Sequence, residues 1–309
     1  MRTGELMRTS HGTKAEAFGP SEWGLLAAIA AMWGSSFLWI AMGLEAFEPG
    51  VVALLRISFG AIAISLFPRA RRPIEPADRP KVYLIGALWM AIPLTLFPVA
   101  QQWIESSRAG MINGAMPLFA ALFAAAMLRS MPGPRQLVGL GVGFAGVVLV
   151  SLPGGGSASP LGIGLLLFAT VLYGLSANLT VPLTQKYGPL PVVWRAQLTA
   201  VLLMIPYGLI GLPDSTFELS SLLAVAVLGV LSTGLALILM ATLVSRAGAT
   251  RGAVAIYFIP VVATILGVVV RDETVGAMGI TGIALIILGA WLTSRRERRN
   301  GPEPVPVTG

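Results

Sequence analysis

Long apolar runs, separated by short polar gaps, repeat along the whole of this 309-residue chain. A helix crossing the hydrocarbon of a bilayer needs about 20 apolar residues, with roughly 17 to 25 the usual range. Ten segments meet that test: Trp23 to Gly43, Pro49 to Phe67, Lys81 to Val99, Ala109 to Leu128, Gln136 to Leu152, Leu161 to Thr184, Pro189 to Ile210, Leu219 to Val244, Thr250 to Val270 and Val275 to Thr293. The pattern predicts an all-α polytopic membrane protein with ten transmembrane helices. The leader, residues 1–20, holds six charged or imidazole side chains, including Arg2, Arg8 and His11, and no apolar signal-peptide core. It is expected to be a disordered cytoplasmic segment, with the first apolar helix acting as an uncleaved signal anchor.

Basic residues orient such a chain, because cytoplasmic loops collect Lys and Arg. With the N-terminus inside, 17 of the 21 basic residues fall on the inner side, among them Arg69, Arg71, Arg72, Arg79 and Lys81 in one loop. Only Arg108 and Arg271 fall outside, while Arg56 and Arg195 lie within apolar runs. One missed helix would scramble every later loop, so the split supports both the count and the placement of both termini in the cytoplasm. The basic tail, residues 295–309, is assigned there too.

The chain also resembles itself. Pro117, Gly139 and Gly146 return as Pro260, Gly282 and Gly289 after 143 residues, and Trp33-Gly34 with Ser36 returns as Tyr173-Gly174 with Ser176 after 140. The repeat unit is therefore five helices, residues 21–152 and 160–294. Five is odd, so the second copy enters from the opposite face and the halves are inverted, an arrangement that suits alternating access.

Composition narrows the chemistry. Only 11% of residues are charged, against about 25% in a soluble domain, and mean hydropathy is +0.81. The net charge of +7 sits in the gaps between apolar runs, which fits membrane orientation and not a nucleic-acid partner. There is no Cys, and His11 is the one His. Cys-ligated metals are excluded, and a His-based zinc centre or a Ser/His/Asp triad would have to draw on that one leader residue, so no metal, cofactor or catalytic residue is expected.

Polar side chains in lipid turn toward the bundle or a wet cavity. Trp33 and Ser36 share one face of the first helix, and Tyr173, Ser176 and Thr180 share one face of the sixth at similar depth. Two such faces would meet near the midplane as a substrate cavity. The alternative is that the hydroxyls bond their own helix carbonyls while the rings pack. Arg56 and Arg195 lie seven and six residues past Pro49 and Pro189. Each is a charge in the membrane, either structural, reaching headgroups or neighbouring carbonyls, or part of an anionic-substrate site. Pro117 and Pro260 are the repeated pair among the helix-breaking prolines and are candidate hinges. Gly139, Gly141, Gly143 and Gly146 form a small-residue face for close helix packing. The acids Glu45, Glu48, Glu105, Asp214, Glu218, Asp272 and Glu273 fall beside outer loops, so proton or counter-substrate coupling stays open, as does the oligomeric state.

Trp33-Gly34-Ser35-Ser36-Phe37, Leu54-Leu55-Arg56-Ile57 and Pro117-Leu118-Phe119 with Gly139 and Gly146 resemble the EamA repeat of the drug/metabolite transporter (DMT) superfamily. Tyr173-Gly174, Pro260, Arg271-Asp272-Glu273-Thr274 and Gly282 to Gly289 resemble it a second time. The resemblance implies a multi-pass carrier of the bacterial inner (plasma) membrane for small metabolites, with export the usual direction. It also implies a cavity lined by helices 1, 3, 4, 6, 8 and 9, which places Trp89, Gln101, Asn113, Thr233 and Tyr257 in the wall. The family's Gly-Glu pair after the fourth helix is replaced here by Leu128-Arg129-Ser130-Met131-Pro132.

The reading is a membrane carrier, not an enzyme, moving a small organic metabolite, whether an amino acid, a related metabolite or an amphiphilic drug, by alternating access. Its partners are that solute and the bilayer. Its rivals are an intramembrane enzyme acting on a lipid or polyprenyl substrate, which would depend on the outer-loop acids, and a non-transporting scaffold, which would lack a cavity.

Overall fold

A computed structural model describes residues 9–14, 16–100, 103, 112–151, 159–259, 261–262, 265 and 276–295. Among them there is no strand. The helices are α1 (Pro20–Leu44), α2 (Pro49–Ser65), α3 (Arg79–Phe97), α4 (Met116–Leu128), α5 (Pro134–Ser151), α6 (Pro160–Tyr187), α7 (Pro189–Ile210), α8 (Leu219–Ala247), α9 (Ala249–Gly252) and α10 (Ala277–Ser294). Six of these, α1, α3, α6, α7, α8 and α10, are long and apolar enough to cross a membrane, and α2, α4 and α5 are shorter apolar helices. Ile62, Leu122, Leu202 and Ile280 lie exposed on their flanks, as lipid-facing side chains do.

The helix starts follow from local chemistry. Pro49, Pro160 and Pro189 occupy the first turn of their helices, where the missing N–H costs nothing and φ is already helical. Gly188 (φ 80°) and Gly248 (φ 81°) take the left-handed backbone that the tight α6–α7 and α8–α9 reversals require.

Two helices are not regular. α3 widens into a π-helical stretch over Gly86–Ala91, and α8 does the same over Leu228–Leu235. In α3 the following Pro93 can neither donate to a carbonyl one turn back nor fit against it, and the wider turn accommodates both defects. In α8 the Thr233 hydroxyl enters the ladder, donating to Leu228 O five residues back (3.3 Å). α1 bends at Ser35, whose hydroxyl donates to Met32 O (3.2 Å), and Ser36 donates to Trp33 O (2.6 Å).

Glycines set the helix contacts. A Cβ on Gly34 would meet Val262 side-chain atoms at 2.6 Å, and one on Gly174 would meet Phe119 Cβ at 2.7 Å. The Trp-Gly and Tyr-Gly motifs thus bring α1 onto the chain at Val262 and α6 onto α4. Gly229 would meet Arg56 O and Phe59 Cβ at 2.6 Å, and Gly86 would meet Ala196 O at 2.6 Å. Each π stretch therefore lies backbone to backbone with the helix that carries one of the two arginines. α5 and α10 pack along Gly139, Gly143, Gly146 and Gly289, while Gly141 has open space beside its Cα.

Hydrogen bonds define two ends of the bundle. At one, Lys186 Nζ reaches Asp78 Oδ2 (3.0 Å) and Glu75 Oε2 (2.7 Å), and Lys81 reaches Asp78 Oδ1 (2.8 Å). At the other, Ser215 accepts from Glu48 N (2.9 Å) and Ala46 O from Thr216 N (2.8 Å).

The expectation of an unstructured leader does not describe residues 9–14 and 16–19. Lys14 N donates to Arg246 O (2.8 Å) and Phe18 N to Ser294 O (3.2 Å), while Arg251 donates to Lys14 O (3.1 Å) and Glu16 O. Gln185 Nε2 donates to His11 O (2.8 Å), and Lys14 pairs with the buried Glu22 carboxylate (2.8 Å). Helix-end carbonyls and polar side chains at the basic end offer this segment the partners that composition alone does not reveal. Arg129 sits at φ 52° as the left-handed cap of α4.

The glycine contacts generate a stability prediction. Gly289→Val forces α10 off the α5 backbone and costs about 1–3 kcal/mol, as overpacking does. Gly141→Val faces open space and leaves the melting temperature within about a degree, since surface changes are worth roughly 0.5 kcal/mol or less. Thermal unfolding of both variants in the same detergent checks the pair; equal losses would contradict this assignment of the contact.

Candidate functional site

The irregular turns converge on one cavity of about 310 Å³. Its volume lies at the small end of the range for small-molecule pockets. The bend of α1 contributes Trp33 and Ser36; α2 contributes Arg56; the π stretch of α3 contributes Trp89 and Met90; and that of α8 contributes Ser232 and Thr233. Tyr173 of α6 completes an aromatic wall with Phe97, the two rings stacked at 5.8 Å between centroids. Leu44 and Pro49, at the end opposite the leader, also line it, and Met240 and Ile256 border it toward the basic end.

A clasp between α1 and α8 fixes the floor. Trp33 Nε1 donates to Ser232 O (2.8 Å), and Ser232 Oγ donates to Met32 O (2.7 Å). Gln197 of α7 donates to Thr233 O. The carbonyls that a π-helix releases are thus taken up by side chains of neighbouring helices, which makes the irregular backbone tolerable inside an apolar bundle.

Six of the sequence-predicted cavity residues, Trp33, Ser36, Trp89, Asn113, Tyr173 and Thr233, line this space together. Three do not. Ser176 and Thr180 are fully buried and donate to Leu172 O and Ser176 O, each four residues back and at 2.7 Å. Past Tyr173 the α6 face is enclosed by α3, α4 and α8, so the hydroxyls fall back on their own helix. Tyr257 is also fully buried, donating to Leu140 O (2.9 Å) with its ring over Gly143. It follows α9 in a 3-10 stretch, Ala253–Phe258, of three residues per turn. Ile256 and Ile259, three apart, take the cavity side, and Tyr257 turns to α5. Gln101 and Pro260 lie outside the described residues. Pro117 is in the first turn of α4, after a turn at Gly114 and Ala115, so it starts a helix and does not kink one.

The two arginines part company. Arg195 Nη1 donates to Ala70 O (3.1 Å) and Pro191 O (3.3 Å), and Nη2 to Arg71 O (3.3 Å), so it ties α7 to the loop after α2. Arg56 borders the cavity, with Nε donating to Thr233 Oγ1 (3.1 Å). Sequence reasoning left both roles open for both residues. Among the cavity positions it missed, Phe97, Met90, Met116 and Met240 are apolar residues in apolar helices and carry no distinguishing signal, whereas Ser232, a hydroxyl beside Thr233 in an apolar run, could have been found. Among the described residues, no three His, Cys, Asp or Glu side chains gather as a metal-ion set.

Because the natural chain has no Cys, accessibility can be read one position at a time. Ser36→Cys should react with a small membrane-impermeant thiol reagent. Ser176→Cys should stay unreacted until the protein is unfolded. Equal reaction at both positions would contradict the cavity boundary, and mass spectrometry of the labelled protein decides.

Comparison with known proteins agrees with this architecture. The EamA-like transporter family matches the chain twice, at residues 22–152 and 160–295. An uncharacterized transporter of Archaeoglobus fulgidus is 25% identical over 280 residues, covering 89% of this chain and 99% of the relative. A "probable terminal-alkyne amino-acid exporter" of Streptantibioticus cattleyicolor is 24% identical, covering 91% and 97%. The uncharacterized inner membrane transporter YedA of Escherichia coli is 26% identical, covering 87% and 91%. One solved structure superposes with a TM-score of 0.73 at 20% identity, over 88% of this chain and 96% of its own, which shows a shared fold. The chain belongs to the EamA-like transporter family.

Proposed function

We propose that the protein is an alternating-access carrier that exports a small organic metabolite through the cavity between α1, α2, α3, α6 and α8. The observation that carries this reading is the cavity itself: a 310 Å³ space in the middle of an apolar bundle, lined by four aromatic rings and a few polar groups. Such a lining buries an apolar body and orients a small number of polar ends. The solute class fits an amino acid or related metabolite, in keeping with the name of the Streptantibioticus cattleyicolor relative.

The mechanism rests on ten spans arranged as two inverted five-helix halves, with both termini in the cytoplasm. Several pairs support that arrangement. The π stretch at Gly86–Ala91 and that at Leu228–Leu235 are offset by about the 143 residues that separate the sequence repeats. Phe119 and Val262, which receive Gly174 and Gly34, are also 143 apart. Equivalent joints in two inverted halves can exchange their conformations, which moves the opening from one side to the other.

The conformation fits a carrier closed at its basic end. There the leader bridges the ends of α6, α8 and α10, whereas the cavity lining runs out to Leu44 and Pro49 at the opposite end. The break at Gly114 and Ala115, beside Asn113 in the wall, is the joint we assign to α4.

Purified protein in liposomes should show saturable flux for at least one of leucine, phenylalanine, tryptophan and threonine. Ser36→Trp, which fills the cavity, should reduce that flux by about tenfold or more, as a steric block of a binding step worth over 1.4 kcal/mol would. Absence of saturable flux for these amino acids, a sugar phosphate and a cationic dye alike would contradict the carrier reading.

A further inference from the structure

Among the polar groups of the cavity whose hydrogen-bonding capacity is unspent, two differ in kind from the Tyr173 hydroxyl and the Trp89 indole N–H. The first is the guanidinium of Arg56. Its Nε is engaged by Thr233 Oγ1, but Nη1 and Nη2 make no hydrogen bond or ion pair with any described residue. Arg195, at nearly the same point of the other half, spends both Nη groups on three backbone carbonyls. The chain therefore satisfies one intramembrane arginine internally and leaves the other turned to a space sized for a solute.

The second group is the amide of Asn113, a residue that lines the same cavity and whose buried Oδ1 accepts no hydrogen bond. A buried acceptor without a donor raises the free energy of the empty site, and a half-buried cation without an anion adds to it. Arginine cannot escape that cost by losing its proton. Among the described residues no Asp or Glu lines the cavity, and the fixed charge they give it is positive.

Position reinforces charge. The α2 backbone at Arg56 lies against Gly229 of the α8 π stretch, and the Nε bond to Thr233 comes from that same stretch. Backbone and guanidinium are thus anchored to one irregular turn, which leaves the Nη pair held in a fixed fork. A fork of that kind matches the two oxygens of a carboxylate.

We infer that Arg56 is a carboxylate-binding residue of this cavity, and that the solute is a small organic acid with an N–H or O–H donor for Asn113 Oδ1 and an apolar body. α-Amino acids and α-hydroxy acids share that chemistry. The walls suit the body: Trp33, Trp89, Phe97 and Tyr173 offer flat faces, and Met90 and Met240 adapt to its outline. An organic cation meets the like charge of Arg56 here, which opposes its attraction to the aromatic faces. The inference rests on the carrier reading of the cavity and adds to it a charge requirement.

The test uses matched probes on two skeletons, phenylethyl and isobutyl, with purified full-length protein and quenching of tryptophan fluorescence as the binding signal. On the first skeleton the probes are phenylalanine, phenyllactate, 3-phenylpropanoate, phenylalaninamide and phenethylamine; on the second, leucine and its counterparts. The acids should bind the unaltered protein roughly ten- to a hundredfold more tightly than the amide or amine, the worth of hydrogen bonds to a charged group. Arg56→Gln should erase that preference, Arg56→Lys should keep part of it, and Arg195→Gln should keep all of it. Asn113→Leu should weaken phenylalanine and phenyllactate but leave 3-phenylpropanoate unchanged.

Amines or amides that bind the unaltered protein as tightly as the acids would overturn the inference, whatever the variants do. So would failure of every acid on both skeletons. Saturable flux of a solute without an acid group would sink the charge requirement and leave the carrier reading standing, whereas loss of all flux would remove both.

Discussion

Inside an apolar bundle a hydrogen-bonding group has no water to turn to, and the architecture follows from where each such group finds a partner. Most are satisfied by regular helix. The exceptions are a few carbonyls released by π-helical and bent turns, and neighbouring helices take these up. Trp33 serves Ser232, Gln197 serves Thr233, and Ser232 serves Met32. These cross-helix bonds are concentrated around the cavity, where irregular backbone and polar side chains coincide.

Close packing makes that arrangement rigid. Glycines at the α1, α6, α3 and α8 contacts let backbones touch, so the irregular turns cannot slide against the helices they meet. Arg56 is held by this contact on one side and by Thr233 on another. Its counterpart Arg195 is consumed in fastening α7 to the loop after α2. Two residues that look alike in the chain thereby acquire different tasks, one in the scaffold and one at the site.

Much of this was legible beforehand. Apolar length gave the helical class, and helical spacing put Trp33 with Ser36 on a face that does reach the cavity. The repeated Trp-Gly and Tyr-Gly pairs marked the internal repeat, and Gly139, Gly143 and Gly146 marked a contact face. Other features were hidden for identifiable reasons. A π turn leaves the apolar pattern unchanged, so neither stretch could be read. The resemblance placed the helix of Tyr257 at the cavity but not its face, and in the 3-10 stretch after α9 Tyr257 turns away from the site. Ser176 and Thr180 had the right face but lie where α6 is enclosed on all sides. The leader looked unstructured because its partners are carbonyls at helix ends, which no composition records.

The central claim is that one intramembrane cation is left for the solute. A cryo-electron-microscopy map of the protein in a lipid nanodisc with saturating phenylalanine or leucine tests it most directly. The account predicts a carboxylate with its oxygens about 3 Å from Arg56 Nη1 and Nη2, the distance of a charge-assisted hydrogen bond. An Arg56 side chain turned onto backbone carbonyls or a lipid headgroup, with the amino acid seated elsewhere, would contradict it.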